Sequence, residues 1–288
     1  MKDTDSNNYL FEEIDTSLFG LEVLSRFLSQ TFKSHKFTPE YLDWMYNKNP
    51  NGDVVGFNAI NENELVAHYA LIPIQAHYKN QTIRALISIN TATSSKHRGQ
   101  GLFTILAKET YIKATNQGFE IVFGVANANS IPGFIKKLDF KYIDQLDTCV
   151  SLSLPKKIDF KNLENCFTLP LSPEVFKWRL ANPNFHYSQY NNGDTHIVAN
   201  DMNYFARSII KISEVDINCL DRKSLVPKIN FWVGISNFYS WDERPFIKIR
   251  IPNFLKPSPL HLIYKNLSNQ IALDKTNIHF EAINFDAF

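Results

Sequence analysis

The feature that most constrains the fold of this chain is a glycine-punctuated turn at residues 98–103, between a strand-like run and a helix-like run. The preceding residues 84–93 are rich in side chains that suit a half-buried strand. Apolar residues then recur at helical spacing up to Gly118, which predicts a helix that ends there. The first turn of such a helix offers unpaired N–H groups to a phosphate or pyrophosphate. Because Gly99 and Gly101 lack a Cβ, a ligand can approach this backbone closely.

The turn matches neither of the two best-known phosphate loops. It lacks the Gly-Lys-Ser/Thr ending of the Walker pattern and the three early glycines of the dinucleotide fingerprint. Instead, Arg98 to Leu102 resembles the pyrophosphate loop of the GNAT superfamily, the acyl-CoA-dependent N-acyltransferases, whose pattern is Arg/Gln-x-x-Gly-x-Gly/Ala. Arg98 and Gly101 match this pattern, whereas Phe103 stands where a small residue is usual.

A second match follows at the distance that the GNAT superfamily leads us to expect. Residues 120–125 predict the next strand, and residues 127–140 resemble the family's Asn-x-x-Ala-x-x-Leu-Tyr-Glu-Lys-Leu-Gly-Phe segment. The residues in register with it are Asn129, Phe134, Lys137, Leu138 and Phe140. Two positions depart from it: Ile135 replaces the Tyr that protonates the leaving thiolate in many members, and Asp139 replaces the usual Gly. The first departure leaves the general-acid step open, although a thiolate is a good leaving group near neutral pH.

The resemblance implies an α/β fold with a mixed sheet, a GNAT fold in the N-terminal half, and acyl-CoA as the acyl donor. In this family a bulge in the fourth strand supplies backbone donors, and here the bulge is expected within residues 90–93. Backbone N–H groups of the loop would hold the pyrophosphate, Asn129 would contact the pantetheine arm, and Lys136 would meet an outer phosphate or face solvent. The residues expected to bind acyl-CoA are therefore Thr91, Ala92, Thr93, Arg98, Gly99, Gln100, Gly101, Leu102, Phe103, Asn129 and Lys136.

The catalytic base is less well specified. Family members often carry a Glu on the fourth strand, but residues 84–93 contain no carboxylate. His68 is a candidate because imidazole suits general-base work near neutral pH, and its alternative role is that of a structural histidine. Asn90 is the second candidate, because water held by Asn90 or Ser88 would carry the proton away from an amine of low pKa.

A short pattern occurs twice in the chain. Residues 39–44 (PEYLDW) precede Asn49-Pro50, and residues 173–178 (PEVFKW) precede Asn182-Pro183. Each copy predicts a helix that begins at Pro-Glu and ends before Asn-Pro, with strands after it. The repeat predicts a duplicated GNAT-like domain with Trp44 and Trp178 as core anchors.

We therefore expect an acyl-CoA-binding domain over residues 1–151 and a degenerate GNAT-like domain over residues 152–288. No Arg-x-x-Gly-x-Gly equivalent occurs between Val215 and Leu225, so the second domain is expected to form a wall of the acceptor cleft and not to hold acyl-CoA. Its pattern also predicts helices over residues 225–238 and 260–267 and a strand over residues 246–251.

Composition narrows the class of protein. The 288 residues are 44% apolar and 20% charged, which is typical of a globular chain with a sizeable core. A net charge of +1 argues against a nucleic-acid partner, and the absence of a long apolar run argues against a membrane span. An odd number of cysteines (Cys149, Cys166 and Cys219), scattered histidines and a polar start predict a cytoplasmic protein without a metal site.

The expected reaction is direct acyl transfer to an amine. The two-domain layout resembles enzymes that acylate amino sugars, often nucleotide-linked, in the synthesis of bacterial surface polysaccharides such as O-antigen. Acylation of a protein lysine, an aminoglycoside or a polyamine is an alternative, as is a non-catalytic acyl-CoA-binding module. The sequence leaves the acyl chain length, the sugar and the oligomeric state open.

Overall fold

The computed structural model describes residues 9–79, 81–154, 157–158, 166–192, 195–213, 220–224, 226–236, 239–240, 248–250, 259–268 and 271–285. Cys219 and the ends of the strand expected over residues 246–251 lie outside these ranges.

The described residues of the first half form four helices and seven strands. The helices are α1 (Leu18–Phe32), α2 (Pro39–Tyr46), α3 (Leu102–Asn116) and α4 (Ile131–Leu138). The strands are β1 (Leu10–Glu13), β2 (Val55–Asn61), β3 (Glu64–Tyr78), β4 (Gln81–Thr93), β5 (Ile121–Ala126), β6 (Lys141–Gln145) and β7 (Asp147–Ser151).

The second half is built mostly of strands. Its described elements are β8 (Lys157–Ile158), α5 (Pro173–Leu180), β9 (Tyr187–Asn192), β10 (Thr195–Asp201), β11 (Ala206–Ser213), β12 (Arg222–Lys223), β13 (Ile229–Ile235), β14 (Tyr239–Ser240), β15 (Lys248–Arg250), β16 (His261–Asn266) and β17 (Phe280–Glu281). Short 3₁₀ turns occur at Ser95–His97 and Ala282–Asn284.

The repeated pattern produces two equivalent helices, α2 and α5. In each, a hydroxyl side chain caps the first turn: Thr38 Oγ1 accepts from Tyr41 N, and Ser172 Oγ accepts from Val175 N. A proline occupies the first turn of both helices, where its missing N–H is not needed. The predicted helix starts are confirmed.

The two repeated tryptophans lie against each other. Trp44 Nε1 donates to Trp178 O at 2.7 Å, and Trp178 Nε1 donates to Trp44 O at 2.8 Å. The rings stack with their centroids 5.2 Å apart, and both side chains are buried. Such a reciprocal contact is what a pseudo-two-fold relation between the halves produces, so both tryptophans are core anchors as predicted.

The two large sheets exchange a strand. The first sheet has the order β1-β2-β3-β4-β5-β16-β6, and the second has β12-β9-β10-β11-β13-β7-β15. Strand β16, from late in the chain, therefore lies between β5 and β6, while β7 lies between β13 and β15. A single hydrophobic cluster contains residues of both halves, including Trp44, Phe123, Trp178 and Phe280.

Two of the predicted helices are wrong. Residues 229–235, within the predicted helix 225–238, form strand β13, and residues 261–266, within the predicted helix 260–267, form strand β16. Both are short apolar runs, in which periodicity does not separate a buried strand from a helix. Both strands are paired on two sides, which favours extended backbone with little alternation of polar residues.

Candidate active site

The predicted phosphate-binding turn has the geometry that its glycines suggested. Gly99 has φ +84° and Gly101 has φ +77°, and Gly101 is the N-cap of α3. A Cβ built on either glycine would meet no atom within 4 Å, so the backbone borders open space. The Gly101 carbonyl accepts from Thr104 N and Ile105 N, so Leu102 and Phe103 carry the N–H groups that precede the helical hydrogen bonds and point along the helix axis. A turn of this geometry, at the positive end of the α3 dipole, favours an anion.

Phe103, which stands where the family usually has a small residue, is accommodated by the glycine at position 133. Its ring lies edge-on to Phe134 at 5.3 Å, and a Cβ on Gly133 would meet it at 3.2 Å. The glycine at 133 thus makes room for the aromatic ring at 103 beside the start of α3.

The expected bulge lies in β4. Ala67 pairs with Thr93 and His68 with Ala92, but Ala70 pairs with Ile89, so the two residues Asn90 and Thr91 oppose one residue of β3. Asn90 has φ +53°, a left-handed conformation that redirects the strand at this point. The bulge predicted within residues 90–93 is confirmed.

Strands β4 and β5 separate beside the bulge. They pair in parallel from Ala85–Ile121 to Ser88–Gly124, and the pairing ends there although both strands continue. Backbone groups beyond Ser88 and Gly124 therefore border an opening between the strands instead of completing the ladder.

A cavity of about 820 Å³ occupies this opening. Its described lining includes the predicted residues Asn90, Thr91, Ala92, Thr93, Arg98 and Asn129. Sequence reasoning missed Thr31 and Phe32 at the end of α1, as well as Asn127 and Phe134. The predicted residues Gly99 to Phe103 follow Arg98 into α3 and lie outside the described lining.

Asn127 and Asn129 have different tasks. The Asn127 Oδ1 accepts from Asn129 N and Ser130 N, both at 3.0 Å, and so fixes the turn that starts α4. The Asn129 side chain is exposed and lines the cavity. Lys136 is exposed near the end of α4 and lies outside the described lining, and Ile135 packs into the cluster beneath that helix.

His68 lies behind the cavity and not in its lining. Its Nδ1 is 2.7 Å from Asn58 Oδ1, and its Nε2 is 2.9 Å from the Tyr46 hydroxyl. Burial lowers the pKa of His68 to about 3. The ring is therefore neutral near pH 7, and both of its nitrogens are hydrogen-bonded. His68 thus has the structural role and does not act as a general base.

A directed chain of hydrogen bonds joins His68 to the bulge. Because Asn58 Oδ1 only accepts, His68 Nδ1 carries the proton and Nε2 accepts from Tyr46. The Tyr46 oxygen in turn accepts from Asn90 Nδ2 at 3.1 Å. Burial raises the pKa of the Tyr46 hydroxyl well above 10, so it remains protonated and can donate. The chain thus fixes the orientation of the Asn90 amide.

A second, smaller cavity of about 280 Å³ meets the first. The two share Ser88, Ile89, Asn90 and Val125, so they join at the opening between β4 and β5. The rest of the smaller lining comes from Lys36, Tyr41 and Ile87 in the first half and from Leu260 and Phe285 in the second. No sequence signal indicated Leu260 or Phe285, because only the tertiary fold brings them here.

Comparison with known proteins identifies the domain. Residues 21–143 match the acetyltransferase (GNAT) domain family. The chain contains a GNAT acetyltransferase domain. The predicted superfamily and GNAT fold are therefore confirmed for residues 21–143, and this match supports the predicted acyl-CoA-dependent N-acyltransferase.

Several solved structures share the fold of this chain over about 90% of its length. A probable N-acyltransferase from Enterococcus faecalis V583 aligns with a TM-score of 0.60 at 8% identity, over 90% of this chain and 73% of that one. A GCN5-related N-acetyltransferase from Anabaena variabilis ATCC 29413 aligns with a TM-score of 0.57 at 11% identity, over 90% and 73%. A GCN5-related N-acetyltransferase from Kribbella flavida aligns with a TM-score of 0.55 at 10% identity, over 91% and 72%. No curated protein matches the sequence at a significant level.

Two further findings concern a metal site and a membrane-spanning helix. Among the described residues, no group of three or more His, Cys, Asp or Glu side chains is placed to hold a metal ion. The helices of the described chain are all too short or too polar to cross a bilayer.

Proposed function

We propose that this GNAT enzyme transfers an acyl group from acyl-CoA to the amine of an amino sugar, presented in nucleotide-linked form. The observation that carries the proposal is the junction of two cavities at the β4 bulge. The larger cavity runs from Arg98 and Asn129 to Asn90, and the smaller one begins at Asn90 on the side of α2. A thioester and an amine that enter from the two sides would meet at Ser88 and Asn90.

The larger cavity suits acyl-CoA. An edge of strand backbone that is not paired between β4 and β5 borders it, and its lining reaches Arg98, directly before the glycine-rich start of α3. N–H donors of that edge and of the helix start would then serve the amide groups of a pantetheine arm and the pyrophosphate. Arg98 adds a positive charge at the loop. A volume of about 820 Å³ falls within the range of about 300–1,000 Å³ that is usual for ligand pockets.

The bulge supplies what the reaction needs. Attack by a neutral amine on the thioester carbonyl places negative charge on the carbonyl oxygen, and backbone N–H groups at residues 90–93 would stabilise that charge. The Tyr46–His68 chain would hold Asn90 in one orientation during the reaction. CoA leaves as its thiolate, and the attacking nitrogen loses one proton to water.

The smaller cavity favours a neutral or anionic acceptor. Its described lining contains Lys36 and no carboxylate, whereas a polyamine or aminoglycoside would call for acidic side chains. The half-buried ring of Phe285 offers an apolar face against which a sugar ring could pack. Lys36 Nζ lies 5.5 Å from the centre of the Tyr41 ring, so the cavity also has a positive charge for the phosphates of a nucleotide-linked sugar.

A thiol-release assay tests the proposal. Acetyl-CoA and longer acyl-CoAs would be mixed with a panel of free and nucleotide-linked amino sugars, with spermidine, an aminoglycoside and a lysine peptide as alternatives. We expect thiol release that depends on one amino sugar and that falls at least tenfold in Asn90→Ala.

The other outcomes distinguish the alternatives. Turnover only with spermidine, the aminoglycoside or the peptide would contradict the amino-sugar assignment. No amine-dependent release, with acetyl-CoA still bound in calorimetry, would indicate a binding module instead of a transferase.

A further inference from the structure

The second half contains a counterpart of the acyl-CoA cleft. Strands β11 and β13 pair in parallel from Ala206–Ile229 to Ile209–Trp232, as β4 and β5 do in the first half. A register shift between Val198 and Ala199 places a bulge in β11 at the position equivalent to that in β4. The same separation of strands is therefore available in both halves.

The chain's own residues fill this counterpart cleft. Strand β17 pairs with β13 through Gly234–Glu281 and Ile235–Phe280, just beyond the parallel segment. The Glu281 Oε1 accepts from Ile212 N at 3.0 Å, beyond the bulge of β11. A carboxylate of the protein thus accepts from a backbone N–H whose counterpart in the first half borders the ligand cavity. We call residues 278–285 the anchor segment.

The anchor segment is held firmly. Glu281 is 1% exposed, and its Oε2 contacts Lys211 Nζ and lies 3.0 Å from His279 Nε2. The Glu281 N–H donates to Asn284 Oδ1 at 2.7 Å, which closes the 3₁₀ turn at the end of the segment. The ion pair and the turn together fix the position of the residue that follows.

That residue is Phe285, which lines the smaller cavity of the first half. Its ring stacks on Phe280 with centroids 5.3 Å apart, and Phe280 is fully buried in the cluster that joins the two halves. Only three residues therefore separate the carboxylate in the counterpart cleft from a ring at the acceptor side of the active site.

We propose that the anchor segment is the acceptor-selecting wall of the enzyme, with Glu281 as a positioning residue that holds Phe285 against the acceptor. This inference rests on the proposed function for the role of the smaller cavity. It also explains why the second half would be retained without a phosphate-binding turn, because its cleft holds the anchor segment in position. The acceptor class that fits is a compact amine with one apolar face, such as an amino-sugar ring.

Phe285→Ala and Glu281→Gln test the wall, with Phe205→Ala and Glu174→Gln as matched controls. Phe205 is 76% exposed in the β10–β11 hairpin, and Glu174 lies on the exposed side of α5. For the amine that the wild type acylates best, we expect Phe285→Ala to raise KM about tenfold and Glu281→Gln to raise it several-fold. The Kd of acetyl-CoA should stay within twofold, and the controls should match the wild type.

A second readout does not depend on the acceptor. Slow release of thiol from acetyl-CoA in the absence of any amine reports access of water to the thioester, and Phe285→Ala should increase it several-fold. Phe285→Leu, which keeps an apolar side chain, should restore most of both properties, and melting temperatures confirm that each variant is folded. If Phe285→Ala changes neither the acceptor KM nor the acceptor-free hydrolysis, the proposed role of the anchor segment is refuted. Failure of the wild type on every amino sugar, with turnover of another amine, contradicts the proposed substrate alone.

Discussion

Asn90 owes its orientation to buried groups that never reach the cavity. Its amide donates to Tyr46, Tyr46 donates to His68, and His68 donates to Asn58. Each hydroxyl or ring nitrogen in this chain has one direction available, because Asn58 Oδ1 accepts at one end. A catalytic role at residue 90 therefore depends on two side chains from α2 and β3.

Tyr46→Phe should separate orientation from binding. Without the hydroxyl, Asn90 Nδ2 and His68 Nε2 lose their partner, and the buried nitrogen costs about 1–3 kcal/mol of stability. We expect kcat to fall about tenfold, or about 1.4 kcal/mol in activation free energy, with the Kd of acetyl-CoA unchanged. Steady-state kinetics and calorimetry measure both.

The control is Tyr190→Phe, whose hydroxyl donates to Asp201 in the second half. It should lose stability while keeping kcat. Equal kcat values for Tyr46→Phe and the wild type would show that the chain does not act on Asn90.

His68 predicts a specific dependence of stability on pH. Its pKa falls from 6.5 to about 3 on burial, so below pH 6.5 the unfolded chain binds a proton that the folded protein does not. Its contribution to stability is therefore full above pH 6.5 and is lost as the pH falls from 6.5 towards 3, by up to about 1.4 kcal/mol per pH unit. Urea unfolding at roughly pH 7.5, 6 and 5, which covers the upper part of this window, should give a smaller decrease in the free energy of unfolding for His68→Gln than for the wild type. Identical slopes would mean that the pKa of the ring is the same in the folded and unfolded protein.

At the scale of elements, the start of α3 is where we propose that the anionic part of CoA binds. Gly101 is both the N-cap of the helix and a residue with φ +77°, and the space beside it is open. A side chain there would project where a ligand is expected and would also strain the backbone by about 1–2 kcal/mol.

Gly101→Ala should weaken binding of CoA about tenfold in calorimetry. The matched control is Gly118→Ala at the other end of α3, where φ is +79° and the added Cβ would meet only the flexible Arg84 side chain at 3.1 Å. Both variants bear the same conformational strain, so both should melt at a lower temperature. A similar loss of CoA affinity in both would assign the effect to strain and remove the turn from the binding site.

Local elements could be predicted from sequence because their causes are local. The turn at Gly99 and Gly101, the caps of α2 and α5, and the bulge near Asn90 each follow from a few neighbouring residues or from a family motif. The Tyr46–His68 chain could not be predicted, since it depends on how a helix packs on a sheet. Strand β16 was mistaken for a helix because its partners β5 and β6 lie far away in sequence.

At the scale of the whole molecule, the Trp44–Trp178 pair joins the halves by two reciprocal hydrogen bonds and a ring stack. Each indole donates to the backbone of the other residue, so replacing either by Phe removes one of these two buried hydrogen bonds. We expect each single variant to lose about 1–3 kcal/mol in urea unfolding, and the pair to show a coupling of about 0.5–1.5 kcal/mol. Trp232→Phe, in a different hydrophobic cluster, should be additive with Trp44→Phe. Additivity of the Trp44 and Trp178 variants would show that the stacked rings do not interact energetically.

The strand exchange makes the two halves depend on each other for folding. Strand β16 supplies Leu262, Ile263 and Tyr264 to the interior of the first sheet, all nearly inaccessible to solvent, and Tyr264 lies 6.5 Å from the Phe123 ring. The strand that follows β6 in the chain, β7, is less apolar, and residues 147 and 148 at its start are only half-buried. A fragment of residues 1–151 would leave β5 and β6 without their common partner.

We therefore expect the 1–151 fragment to aggregate or to unfold without cooperativity, and to bind no acetyl-CoA, whereas co-expression with residues 152–288 should restore both. A hairpin-fused fragment provides the control. Leu146 N donates to Leu260 O at 2.8 Å, and Gln145 pairs with His261, so an Asn-Gly turn between Leu146 and Leu260 would join β6 to β16 directly. Residues 1–146 linked in this way to 260–268 should be more soluble than 1–151 and should recover binding of acetyl-CoA. If instead 1–151 binds acetyl-CoA as tightly as the full chain, β7 can replace β16, and the exchange joins the halves without being needed to fold the first.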